Sequence, residues 1–222
     1  MKLLKTAVLA AVLAAPSFAF AANYEIDSAH SGAHFTVKHL MVSNVRGEFG
    51  KVTGAVNIDE KDITKSTVDA TIDASTINTR EPKRDEHLKS PDFFDVAKYP
   101  TITFKSKKVA KAGKDKLKVT GDLTMHGVTK EVVLDVDGPA KEAKDPWGNF
   151  KSGATATTKL NRKDFGLTWN AALETGGVAV GEEVNVTIDL ELLKKAPAAA
   201  APAAAAPAAP AAPSAPAAKT TK

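Results

Sequence analysis

The chain has 222 residues, no cysteine, a formal net charge of +4 and only 6% aromatic residues. Without thiols there are no disulfides, no thiolate metal sites and no lipid-modified cysteine, so stability has to come from packing. Lys2, Lys5, Lys219 and Lys222 sit near the two ends and account for the positive charge. The stretch between them is formally neutral and gives no electrostatic case for nucleic acid.

In chain order, residues 1–21 read as a secretory signal peptide: a basic start, an apolar run from Thr6 to Ala15, and the small-residue site Ala19-Phe20-Ala21. The run is well short of the roughly 20 residues of a membrane-spanning helix, and no later segment comes close. A single exported domain is expected over residues 22–195, soluble and most simply periplasmic.

Within it, period-two alternation marks strands. Ala33, Phe35 and Val37 share one face near residues 33–38. A longer strand covers residues 45–59, with a change of parity between Phe49 and Val52 beside Gly50, the mark of a bulge. Val68, Ala70, Ile72 and Ala74 oppose Thr67, Asp69, Thr71 and Asp73 in the next one.

Residues 79–99 break the pattern. Glu81-Pro82 and Ser90-Pro91 each read as a helix start, with proline in the first turn. Alternation resumes at residues 101–109 (Ile102, Phe104), 116–125 (Leu117, Val119, Leu123, Met125), 128–137 (Val128, Val132, Leu134, Val136) and 150–160. Met125-His126-Gly127-Val128 reads as a tight hairpin. Val184, Val186, Ile188, Leu190 and Leu192 alternate with polar residues in the last strand. Residues 196–222 are dominated by Ala and Pro and read as a disordered, extended tail, either a spacer or a tether.

Eight amphipathic strands with short turns predict an all-β fold: an eight-stranded antiparallel up-and-down barrel, lipocalin-like, with short helical segments near residues 79–99. An outer-membrane barrel would carry aromatic girdles. Trp147 and Trp169 instead lie in or beside loops.

The segments TREPKRDEHLKSPDFFDVAKYP (Thr79 to Pro100), GDLTMHGVTKEV (Gly121 to Val132) and NRKDFGLTW (Asn161 to Trp169), after the opening YEIDSAHSGAHFTVKHL, resemble the YceI-like family in content and order. The resemblance covers residues 23–193 and leaves the tail outside. It implies a lipocalin-style barrel, secreted to the periplasm, that holds polyisoprenoids or related long-chain amphiphiles in an interior channel as a carrier or buffer.

The residues support a hollow independently. Large inward groups (Phe35, Phe49, Ile72, Phe104, Leu117) mix with small ones (Ala70, Ala74, Gly121, Ala154, Ala156), and an eight-stranded barrel is just wide enough either to fill with its own side chains or to keep one ligand cavity. Val37 joins this inward set, and Leu88, Phe93, Phe94 and Tyr99 supply an apolar cap. Arg80, Arg84 and His87 are the head-group candidates, since a guanidinium presents a fork of donors to phosphate oxygens. Arg84 has a competing role, pairing with Asp85, Asp92 or Asp95 to fasten the cap, and His87 a competing role in helix packing. Trp169 either packs with Phe165 around Gly166 or lines the mouth.

Other chemistries find little support. On a strand His30 and His34 would lie about 13 Å apart, too far for one zinc, so no metal is expected. There is no Gly-x-Ser-x-Gly elbow, no phosphate-cradling loop and no cysteine nucleophile. A triad of Ser31 or Ser90 with His87 has only its letters to recommend it. Neither catalysis nor a cofactor is expected. The lipid-free alternative is a secreted, stress-related interaction module with a filled barrel and a tethering tail, monomeric or dimeric.

Overall fold

The computed structural model describes residues 21–174 and 176–195. The expected leader, up to residue 20, and the expected tail at 196–222 lie outside the described residues. Ala21, expected to be the last leader residue, opens the first strand opposite Asp59.

The strands are β1 (Ala21–Ile26), β2 (Gly32–His39), β3 (Ser43–Phe49), β4 (Val52–Asp59), β5 (Thr67–Asp73) and β6 (Ile77–Asn78). The helix α1 (Pro82–Lys89) follows, then β7 (Thr101–Gly113), β8 (Lys116–Met125), β9 (Val128–Asp137), β10 (Ala143–Lys144), β11 (Phe150–Asn161) and β12 (Val180–Lys194). Antiparallel pairing runs β1–β4–β5–β7–β8–β9–β11–β12 and returns to β1, which closes the barrel. β12 pairs with β2 at Val180 to Asp189 and with β1 at Leu192 to Lys194, so β1 and β2 form one long strand interrupted at residues 27–31. β3 and β4 are likewise two halves of the expected 45–59 strand, parted at Gly50-Lys51 where its parity changes. Counted this way, the ring has the eight strands that the alternation predicts.

Sequence reading missed β1, although Ala22, Tyr24 and Ile26 alternate with Asn23 and Glu25 and are buried. The run is short and lies against the leader, which hides its period. Ser90-Pro91 does not start a helix. Ser90 caps the end of α1, its hydroxyl donating to the His87 carbonyl at 2.8 Å, and residues 91–94 form a turn.

The apolar faces turn inward. Cross-strand ion pairs such as Lys116–Asp137, Lys118–Asp135 and Lys159–Glu183 occupy the outer face. Hairpin chemistry is visible at His126-Gly127, where both residues take positive φ (51° and 74°) between the paired Met125 and Val128. The Tyr99 ring lies so close over Gly127 that a Cβ there would stand 2.6 Å from it.

The two ends of the barrel differ. Ala22, Tyr24, Ile26, Val56 and Leu192 pack together and fill one end. At that end Glu142 accepts from the Tyr24 hydroxyl and from Lys194 Nζ (2.5 Å), and Lys194 also lies 3.5 Å from Glu60. At the other end the walls part. β9 and β11 are paired only from Asp135 to Asp137, and the 3₁₀ turn Arg162–Phe165 enters beyond, with His126 Nδ1 3.2 Å from the Phe165 carbonyl. β3, paired with β2 along one edge, does not follow β4 in pairing with β5 and meets only the short β6 on its other edge, leaving residues 79–99 to close the opening.

Candidate functional site

The cap is held by Thr79, which is 4% exposed. Its N–H and hydroxyl donate to Asp85 Oδ1 at 2.8 and 2.5 Å, while Arg84 Nε and Nη2 donate to its hydroxyl and carbonyl at 2.8 and 2.9 Å. α1 begins as its sequence dictates: Pro82 sits in the first turn, Glu81 accepts from Lys83 N at 3.2 Å, Asp85 lies near the start, and His87 and Lys89 near the end. These charges complement the helix dipole. Beyond α1 the chain folds back, with Phe94 N donating to Leu88 O and Val96 N to Lys89 O. Leu88, Phe93 and Phe94 are thereby turned toward the barrel, and Phe94 meets Phe49 edge-on at 5.5 Å.

Beneath this roof lies a cavity of about 190 Å³ with an almost wholly apolar lining. Of the residues singled out from sequence, the structure brings Phe35, Val37, Phe49, Ile72, Phe104, Leu88, Phe93 and Phe94 together around it. Ala70 and Ala156 also line it, leaving space where larger side chains would fill. The filled barrel of the alternative reading is not what forms.

Other expected site residues lie elsewhere. Leu117 faces inward but sits toward the filled end, packed with Phe104, Val109, Val119 and Leu134. Trp169 packs on His87 and Phe93, at ring distances of 4.9 and 5.2 Å, outside the lining. Gly121 leaves no void: the Phe104 ring lies where its Cβ would be, within 2.5 Å. Ala74 is buried in a 3₁₀ turn beyond β5. Ala154 borders a shallow outer groove.

The head-group candidates do not line the cavity either. Arg80 is exposed, with a φ of 66°. Arg84 is committed to Thr79, not to Asp85, Asp92 or Asp95 as the local charges predict, and Asp85 is held by the same threonine. His87 Nε2 lies 2.8 Å from Asp92 Oδ2, and its ring stacks edge-on against Phe93 and Trp169. These three residues build the cap.

Sequence reasoning missed Arg162, which is 5% exposed and contributes to the lining. Its Nε donates to Gly181 O at 2.9 Å, Nη2 to Val180 O at 3.2 Å, and Nη1 to Leu167 O. Burial holds its pKa below the ordinary arginine value, opposed by the field of Glu182. With its polar atoms spent on three carbonyls, the side chain ties the start of β12 to the turn after β11. Leu123, Met125, Val132, Val184 and Ile188 also line the hollow; the same alternation carries them, so their signal was present. Leu167 and Arg162 lie outside any alternating run and had none.

At the break between β1 and β2, ligand atoms of Asp27, His30 and Glu191 come within 4.8 Å of one another. They could hold a metal ion only by displacing Lys151, whose Nζ lies 3.0 Å from Asp27 Oδ2 and 2.5 Å from Glu191 Oε1. His30 and Lys151 together hold the Asp27 carboxyl down at about 2, and Glu191 and Asp27 push the lysine up. Ser31 and Ser90, considered as nucleophiles, bond backbone groups of Glu191 and His87.

A YceI-like domain model matches residues 24–192. A UPF0312 protein of Vibrio cholerae is 41% identical over 168 residues, covering 75% of this chain and 88% of that protein. One from Staphylococcus aureus is 42% identical over 171 residues, covering 76% and 96%. Among solved structures, the Campylobacter jejuni YCEI protein superposes with a TM-score of 0.60 at 34% identity, covering 72% of this chain and 90% of that one. A polyisoprenoid binding domain from Saccharophagus degradans, 16% identical, covers 79% and 100% with a TM-score of 0.57 and speaks to the fold alone. Among the described residues, no helix is long and apolar enough to cross a membrane. The closed eight-stranded ring, its capped hollow and these matches lead to one conclusion: the chain belongs to the YceI-like family.

Proposed function

We propose that the protein is a secreted, periplasmic binding and carrier protein that takes the chain of a polyisoprenoid or similar long-chain amphiphile into the barrel, without catalysing a reaction. The observation that carries this reading is the apolar hollow under the residue 79–99 cap. On the scale on which a dry cavity of about 150 Å³ takes one benzene, the hollow has room for a run of about seven carbons. Burying seven methylenes is worth roughly 6 kcal/mol before ordering costs. That corresponds to an affinity of about 0.1 mM with no polar contact, to which the cap residues add. Arg162, the guanidinium in the lining, already donates from each of its nitrogens to a carbonyl, which favours a head that stays near the cap while the chain occupies the hollow. The Saccharophagus degradans domain of similar fold is a polyisoprenoid binding domain, which supports this choice of ligand. Export rests on the leader pattern of residues 1–21.

Native mass spectrometry of protein recovered from a bacterial periplasm should detect a retained isoprenoid or acyl species. Ala156, whose methyl faces the hollow, provides the matched control. Ala156→Phe should fill the space and weaken binding of a fluorescent long-chain fatty acid at least tenfold while the protein stays folded. Wild-type protein that is empty after gentle purification and takes up no chain would overturn the proposal.

A further inference from the structure

The hairpin between β2 and β3 breaks a local rule. Leu40 and Met41 have φ of 51° and 61°, the left-handed conformation for which hairpin turns favour Asn and Gly. A side chain with a Cβ is disfavoured there. Burial does not compensate, since Leu40, Met41 and the adjoining Val42 are 40%, 55% and 82% exposed. Turn chemistry and core packing therefore leave three consecutive apolar residues at this tip unexplained.

The tip stands at the rim of the hollow end. Leu40 N donates to Ala179 O at 2.8 Å, and His39 pairs with Val180. Val180, opposite His39, and Val37, two residues before it, line the cavity. Lys38 and Arg46 flank the tip, exposed and, among the described residues, without a carboxylate in ion-pair range. On the outer face, Lys107, Lys116 and Lys118 are paired, whereas Lys105, Lys111 and Lys130, like Lys38 and Arg46, have no ion pair among the described residues.

We propose that Leu40, Met41 and Val42 form a membrane-docking tip that dips into the surface of an anionic bilayer and holds the open end of the barrel against lipid. A few apolar side chains with a basic shoulder match the chemistry of an interfacial anchor. They fall far short of the roughly 800 Å² per partner that a stable protein interface requires. The purpose of docking, loading or delivery of a chain, rests on the carrier reading; docking itself does not. Trp147 is 83% exposed but sits at the filled end, in a turn where Asp145 accepts from Trp147 N and Asn149 N as ordinary turn chemistry prescribes. It supplies the control.

The test is cosedimentation with vesicles of phosphatidylglycerol or of phosphatidylcholine, using the processed chain from Ala22 with its tail retained. Wild-type protein should bind phosphatidylglycerol vesicles at least fivefold more strongly than phosphatidylcholine vesicles. The double variant Leu40→Asn with Met41→Gly should lose at least fivefold of that binding while its Tm stays level or rises, because the turn now carries residues suited to it. Trp147→Ser should bind as wild type does. Absence of wild-type binding, retention by the double variant, or loss only in Trp147→Ser overturns the proposal, as does a dimer in gel filtration that the double variant dissolves. Should the double variant lose Tm, Val42→Asp, outside the left-handed pair, decides alone: undiminished vesicle binding refutes docking. Fatty-acid binding by the same proteins keeps the two readings apart, since a wild type that binds vesicles but no chain sinks only the carrier.

Discussion

The two ends of this barrel use the same strands for opposite purposes. At one, Tyr24, Ile26, Val56 and Leu192 pack against one another, and the loop carrying Glu142 closes over them through Tyr24 and Lys194. At the other, Phe35, Phe49 and Phe104 stand around open space beneath a cap held by Thr79. Inward-facing residues are apolar at both ends, so hydrophobicity does not distinguish them. What differs is whether side chains from opposite walls meet.

The largest expected contrast is in stability. Leu192, 2% exposed, has neighbours on every side, so Leu192→Ala should cost about 2–5 kcal/mol in urea unfolding. Leu160 already faces the hollow and has fewer partner atoms to lose, so Leu160→Ala should cost clearly less. Equal costs would mean that the two ends are packed alike.

Loosening the cap comes next. Thr79→Val removes the hydroxyl that Asp85 and Arg84 share while leaving each its backbone bond to residue 79, a loss of about 1–3 kcal/mol for a buried hydrogen-bonded group. The effect should be local: faster amide exchange across residues 79–99 and faster release of a bound fluorescent chain, with the filled end still protected. Exchange that rises equally at both ends would show the cap to be part of the global core.

Alkaline titration probes the filled end. Burial first, then the Glu142 carboxylate, raise the Tyr24 pKa above its ordinary 10.0. A group whose folded pKa is raised contributes stability that is fully present below its unfolded pKa and lost as pH climbs above it. Unfolding free energy should therefore fall above about pH 10, and Tyr24→Phe should flatten that slope at some cost at neutral pH.

The smallest effect belongs to Asp27. Its carboxyl is lowered from 3.8 to about 2, by His30 first and then Lys151, so its contribution is present above the unfolded pKa and fades as pH falls from about 4 toward 2. The cluster is partly open to solvent, which keeps this slight and salt-sensitive. Asp27→Asn should flatten the acid limb of the stability curve, and an unchanged limb would assign the acid loss to other carboxylates.

Much of the fold was legible because the signals that carry it are local. Period-two alternation located the eight strands, and the parity change at Gly50 marked the break between β3 and β4. Gly127 marked the hairpin and Glu81-Pro82 the start of α1. The same alternation found most of the cavity wall. It misplaced Leu117 because period two reports which face a residue occupies, not how far along the barrel the hollow extends. Arg84 was weighed against neighbouring carboxylates, whereas its partner is a backbone carbonyl and hydroxyl that only the folded cap presents.

The sequence by itself determined that these strands would be amphipathic, how many there would be, and that a non-β segment would interrupt them, since each of these depends on neighbours a few residues away. Whether the interior is open was decided only by the tertiary structure. Gly121 and Ala156 look alike as small inward residues, but a ring from β7 covers the first, while the second borders the hollow. A void is a property of opposing walls, and those walls meet only when the ring of strands has closed.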